Sequence, residues 1–227
     1  MSDLFGSMFK AFHDGGLGMY PIAVALVFAI TIVIERVFVL YFQSSIDKDA
    51  FLRGIKKHIY AGDLDKAISY CAGQKRTPLV SVIKAGLINV PKGDEDVQAA
   101  MDEATLRESP KIERRTGYLA MISNVATLLG LLGTIIGLIH CFGAVANANP
   151  ADKATILSQG ISEAMNCTAF GLSVAIPALV LYSVLQGRTQ NMVDDINESA
   201  VGLLNLIVAN KEKMKMPAGA AVEEAVE

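Results

Sequence analysis

The chain has 227 residues, 52% of them hydrophobic and only 19% charged, which is more apolar than soluble proteins usually are and points to an integral membrane protein. A net charge of -3, with no basic run interleaved with aromatics, excludes a nucleic-acid partner. Cys71, Cys141 and Cys167 are odd in number, widely spaced and free of CxxC or histidine pairing. They support neither a metal site nor a disulfide framework, and read as small apolar packers. No catalytic constellation or cofactor motif is present, so the chain is not expected to be an enzyme.

The chain opens Met1-Ser2-Asp3, with an acid and without the basic region of a cleavable signal. Over 1–18, Leu4, Phe5, Met8, Phe9 and Phe12 recur at helical spacing, as in a short amphipathic helix lying on a membrane surface, although terminal packing explains them equally well. Three runs free of Asp, Glu, Lys and Arg follow: Gly15–Ile34, Thr116–Ala151 and Ala164–Gly187. Each exceeds or matches the roughly 20 apolar residues that a spanning helix needs. The fold expected is therefore all-α, with transmembrane helices over 19–43, 116–145 and 161–187. Glu35 and Arg36 close the first as an ion pair within reach of headgroups.

Between the first two spans, 44–115 reads as a cytoplasmic helical domain. Asp47 can cap a helix through about Tyr60, Asp63 a second through about Cys71, and Thr77 with Pro78 starts a third. From Asp94 on, a further helix carries Pro110 as a kink and meets no strong stop before the second span. A short loop over 146–160 leads to the third span. Beyond it, Met192, Ile196, Ala200, Leu203 and Ile207 keep helical spacing over 188–216, and 217–227 reads as a disordered acidic tail. Arg36, Lys48, Arg53, Arg107, Lys111, Arg114, Arg115 and Arg188 flank one side of the spans, against Lys10 and Lys153 on the other. The N-terminus is thus expected outside and the C-terminus inside.

Within the second span, Thr127, Gly130, Thr134, Gly137 and Cys141 fall on one narrow face; Gly133 adds a third glycine, and the third span repeats the device with Ala164, Thr168, Gly171, Ala175 and Ala178. In lipid, no hydrophobic force separates helix from acyl chain, so small faces mark where another helix backbone approaches. Tight packing alone would account for the glycines. Thr134 and Thr168 could simply bond their own upstream carbonyls. Glu163 is the one carboxylate inside a span apart from the flanking Glu35, and it either faces protein or sits among headgroups. His140 has the same two readings.

"ATLLGLLGTIIGLIHCF" (Ala126–Phe142) and "GISEAMNCTAFGLSVAIPALVLYS" (Gly160–Ser183) resemble the two signature helices of the TolQ/ExbB/MotA family of ion-driven motor stators. "GMYPIAVALVFAITIVIERVFVL" (Gly18–Leu40) resembles the family's first span, so the likeness covers all three. Three spans with a large inner segment after the first are similar to the TolQ and ExbB branch rather than to four-span MotA. Thr127 stands where relatives commonly carry proline.

The resemblance implies a homo-pentameric ring in the bacterial inner membrane around a dimer of ExbD- or TolR-like single-span helices, each carrying the aspartate that loads the ion, with a TonB- or TolA-like energy transducer as a further partner. It also implies an ion pathway through Thr134, Thr168 and Glu163. Gly130, Gly133, Gly137, Ala164, Gly171, Ala175 and Pro177 would pack helices or face the partner, and His140 matches a histidine of the TolQ branch. A self-contained transporter or a membrane scaffold are the alternatives; a transporter should show repeats or broken half-helices, and neither is visible.

Overall fold

A computed structural model describes residues 18–44 and 46–210. The interfacial helix expected around Leu4 to Phe12, and the tail over 217–227, lie outside the described residues. Among those described, regular structure is entirely helical: α1 (Met19–Val37), continued by a π-helical turn (Phe38–Gln43), α2 (Lys48–Tyr60), α3 (Leu64–Gly73), α4 (Pro78–Asn89), a 3-10 turn (Val90–Lys92), α5 (Asp94–Glu113), α6 (Thr116–Ala146) and α7 (Lys153–Asn210). Three stretches are long and apolar enough to cross a membrane, one ending in α6 and the others being α1 with its π turn and α7.

The described residues fall into two compact units, one of residues 18–36 with 115–185, the other of 37–44, 46–114 and 186–210. In the first, Ile22, Ala126, Val174 and Ala175 form a buried cluster, with Leu26, Leu129 and Phe170 packed on it. Around this thin core, Val27, Phe28, Ile34, Leu128, Leu131, Ile139 and Leu179 remain exposed. Such a continuous apolar surface suits hydrocarbon, not water. Hydroxyls on the same helices bond upstream carbonyls, Thr31 to Val27 at 2.8 Å and Ser173 to Ala169 at 2.8 Å, as polar groups in lipid must find partners inside the chain.

In the second unit, the amphipathic faces meet. Phe51, Ile55 and Ile59 of α2, Leu64, Ala67 and Cys71 of α3, and Val82, Ile83 and Leu87 of α4 are buried, as are Val97, Met101 and Ala104 of α5. Met192, Ile196, Ala200, Leu203 and Ile207 of α7 are buried too, at the spacing read from the sequence. Gly86 allows α4 and α5 to touch, since a Cβ there would lie 2.7 Å from the Met101 side chain. The caps follow the residues: Asp47 accepts from the Ala50 amide at 3.0 Å and Thr77 from Val80 at 3.4 Å. Asp63 instead takes the Lys66 ammonium at 2.7 Å and makes no side-chain cap.

Two boundaries differ from the sequence reading. The helix from Asp94 does not run unbroken into the second span: it passes Pro110 and stops at Glu113, and Arg115, at φ +68°, turns the chain left-handed before α6. The Glu35 carboxylate, which also accepts from Arg36 at 3.2 Å, accepts a hydrogen bond from the Arg115 guanidinium. A non-glycine residue costs roughly 1–2 kcal/mol in this conformation, and an ion pair this exposed returns up to about 1 kcal/mol of it. The second difference is the loop between the later spans. It covers only 147–152, because α7 begins at Lys153 with the Ile156 amide bonded to the Asp152 carbonyl at 3.0 Å.

A hydroxyl-bearing seam between two spans

The two small faces meet each other. Down the antiparallel contact of α6 and α7, a Cβ on Gly137 would lie 3.1 Å from the Ala164 Cβ, one on Gly133 2.9 Å from the Cys167 Cβ, and one on Gly171 3.0 Å from the Gly130 Cα. Gly160 lies against Cys141 at the loop end of the seam. At the far end, the buried Ser123 hydroxyl donates to the Ala175 carbonyl at 2.7 Å. Small residues every three or four positions let the backbones approach, and the hydroxyl joins them across the gap. Within one chain, then, the neighbour of Gly130, Gly133, Gly137, Ala164 and Gly171 is the chain's own other span. Cys167 and Cys141 are buried in the seam, and Gly18 at the head of α1 reaches the Cys167 sulfur and the Gly133 Cα.

Midway down the seam, the Thr134 and Thr168 hydroxyl oxygens are 2.8 Å apart. Thr168 also reaches the Gly130 carbonyl at 3.1 Å, and Thr134 reaches the Gly130 carbonyl at 3.1 Å and the Leu131 carbonyl at 2.8 Å. Two hydroxyl protons thus share the Gly130 and Leu131 carbonyls and each other's oxygens as acceptors, so the donor direction within the pair can reverse without moving a helix. Both threonines are half-buried, with part of each side chain on the surface of the seam. No carboxylate of the described spans stands at this level; Glu163 is five residues before Thr168.

Glu163 and His140 belong to a different place. Both line a cavity of about 580 Å³ beside the seam, with Pro21, Gln159 and the edges of Gly133 and Gly137. Thr134 and Thr168 do not line it. A separation of five residues turns the helix about 140°, which puts Glu163 and Thr168 on different faces. The structure therefore pairs the threonines with each other and places the acid and the histidine along one cavity. Pro177 is exposed within the unbroken α7, and Thr127 donates to the Ser123 carbonyl at 3.1 Å inside the unbroken α6.

Sequence reasoning did not foresee the Ser123 bond, the Gly160–Cys141 contact or the Arg115 partner of Glu35. The doubled arginine Arg114-Arg115 at the foot of a span was the available signal for the last. In the second unit, Lys48 bridges Asp195 at 2.7 Å and Glu198 at 2.5 Å, and the bonds to these carboxylates raise its pKa above the ordinary lysine value. Burial pushes the Cys71 thiol up to about 11, against the opposing field of Lys84.

Comparison with known proteins bears on this geometry. Residues 74–198 match the family described as the MotA/TolQ/ExbB proton channel family. The ExbB homolog of Methanothermobacter thermautotrophicus is 29% identical over 195 residues, 86% of this chain and 68% of that protein. The Tol-Pal system protein TolQ of Pseudomonas aeruginosa is 35% identical over 99 residues, 44% of this chain and 42% of its own length. The biopolymer transport protein ExbB of Salmonella typhimurium is 29% identical over 160 residues, with 64% of each chain covered. The match thus spans less than half of TolQ and just under two thirds of this ExbB. The solved structure of C. jejuni MotAB shares the fold, with a TM-score of 0.62 at 16% identity over 96% of this chain and 93% of that one. With the family model covering more than half of its length, this all-α membrane chain belongs to the MotA/TolQ/ExbB proton channel family.

Proposed function

We propose that this chain is the channel-forming subunit of an inner-membrane motor in a bacterial cell. A homo-pentamer surrounds a dimer of ExbD- or TolR-like single-span helices, and proton motive force is converted into mechanical work through them, with a TonB- or TolA-like transducer carrying the load. The N-terminus is periplasmic, 44–115 is cytoplasmic, and the C-terminus is cytoplasmic. The observation that carries the reading is the Thr134–Thr168 hydroxyl pair, 2.8 Å apart in otherwise apolar spans that hold no carboxylate at its level. A hydroxyl pair relays or orients a proton but cannot store one at neutral pH, so the storing group comes from a partner: an aspartate on the inner helix. Each charge crossing the potential yields about 2.3 kcal/mol per 100 mV, enough to bias the rotation of a helix through repeated steps. Glu163, in the cavity it lines with His140, gathers cations on the outer side.

The test is proton uptake by liposomes containing the chain together with the single-span protein that copurifies with it. Thr134→Ala and Thr168→Ala abolish uptake while copurification persists, and Thr168→Ser keeps most of it. Normal uptake in both alanine variants would remove the two hydroxyls from the ion pathway and overturn the reading.

A further inference from the structure

The second unit contains a cavity of about 1050 Å³ that the ion pathway does not use. Four cationic side chains line it, Arg76 before α4, Lys84 within α4, and Arg107 and Lys111 on α5, against the single carboxylate of Glu108. Lys111 takes up that carboxylate at 2.6 Å, so Arg76, Lys84 and Arg107 share the cavity wall without a further acid among its lining residues. Like charges gathered around one space repel, and an anion placed there turns that cost into attraction. Lys84 is half-buried, which strengthens its field on anything inside the cavity.

The chemistry of the anion follows from the rest of the wall. Val39, in the last turns of the apolar stretch Met19–Phe42, forms part of it, and so does Ile88, which is 50% exposed. A cavity with cations along its wall and the end of an apolar stretch among its lining residues suits an amphiphile with a phosphate head and an apolar tail. A small soluble anion would leave the apolar wall wet. We propose that this cavity binds the phosphodiester headgroup of an anionic glycerophospholipid, of the phosphatidylglycerol class, with Lys84 and Arg107 as its main contacts. Basic recesses beside spanning helices are a recurrent form of lipid recognition.

The proposal is tested on the full chain in nanodiscs of phosphatidylcholine, with or without phosphatidylglycerol, by native mass spectrometry of the lipid retained and by the thermal shift that phosphatidylglycerol produces. Lys84→Gln and Arg107→Gln each weaken phosphatidylglycerol retention about fivefold, the effect of one cation near a phosphate. Lys84→Arg retains the lipid, and Lys66→Gln, an exposed lysine outside the cavity, changes nothing. Should Lys84→Gln fail to fold, the exposed Arg107 gives the same reading on its own. Undiminished retention in Arg107→Gln overturns the proposal. So does a thermal shift of equal size from millimolar glycerol 3-phosphate in pure phosphatidylcholine discs, which would assign the cavity to a soluble phosphate compound. No ion flux enters these readouts, so their outcome is independent of the channel reading.

Discussion

The hydroxyl of Thr134 on α6 stands 2.8 Å from that of Thr168 on α7, and both reach the carbonyl of Gly130, whose missing side chain lets the two backbones close. A bond of this kind between spans contributes about 0.6 kcal/mol on average and at most about 1.7. A double-mutant cycle of Thr134→Ala and Thr168→Ala, followed by reversible unfolding in bicelles, should therefore return a coupling within that range. Strict additivity would mean that the hydroxyls serve only their own helices.

Close approach makes the seam intolerant of a single methyl. A Cβ on Gly171 would meet the backbone carbonyl of Ala126 at 2.8 Å, and backbone cannot step aside as a flexible side chain can. Gly171→Ala is expected to cost about 1–3 kcal/mol, the range for overpacking. Gly143, on the same helix as Gly130, Gly133 and Gly137, has open space around its Cβ position. Gly143→Ala should be neutral or stabilising by up to about 1 kcal/mol through helix propensity. Melting temperatures of the two variants decide the matter, and equal losses would contradict the packing described.

Alkaline titration should find the second unit sensitive in a definite order. The Cys71 thiol is raised from 9.0 to about 11 by burial, so the folded state favours its neutral form. Its contribution is complete below pH 9 and is lost between 9 and about 11, a difference on the order of 2–3 kcal/mol. The Lys48 ammonium is raised from 10.5 by its bonds to Asp195 and Glu198, so that contribution is intact up to 10.5 and is lost above it, starting later than the loss from Cys71. Cys71→Ala should flatten the earlier part of the stability curve and leave the later part. Iodoacetamide at pH 8 should modify Cys71 far more slowly in the folded protein than in denaturant; equal rates would show the thiol to be open.

Glu163 should act through its field. Glu163→Gln is expected to lower proton uptake up to about tenfold at low ionic strength without abolishing it, and the deficit should shrink as salt screens the charge. Complete loss at every salt concentration would instead make the carboxylate an obligate stop on the path.

Membrane character and the helical content were legible in the residues alone, because charge-free runs and helical spacing are local properties. The small faces of both spans were legible for the same reason: a stripe such as Gly130, Thr134 and Gly137 needs only the angle between successive residues. What a face meets is not local. Only the folded chain decided that the stripes close on each other, that Thr134 and Thr168 share a bond, and that Glu163 lines a separate cavity, as His140 does. Likewise no local stop signal ends the helix at Glu113. At the break Arg115 bonds Glu35, eighty residues earlier in the chain, and a contact at that separation exists only once both helices are in place.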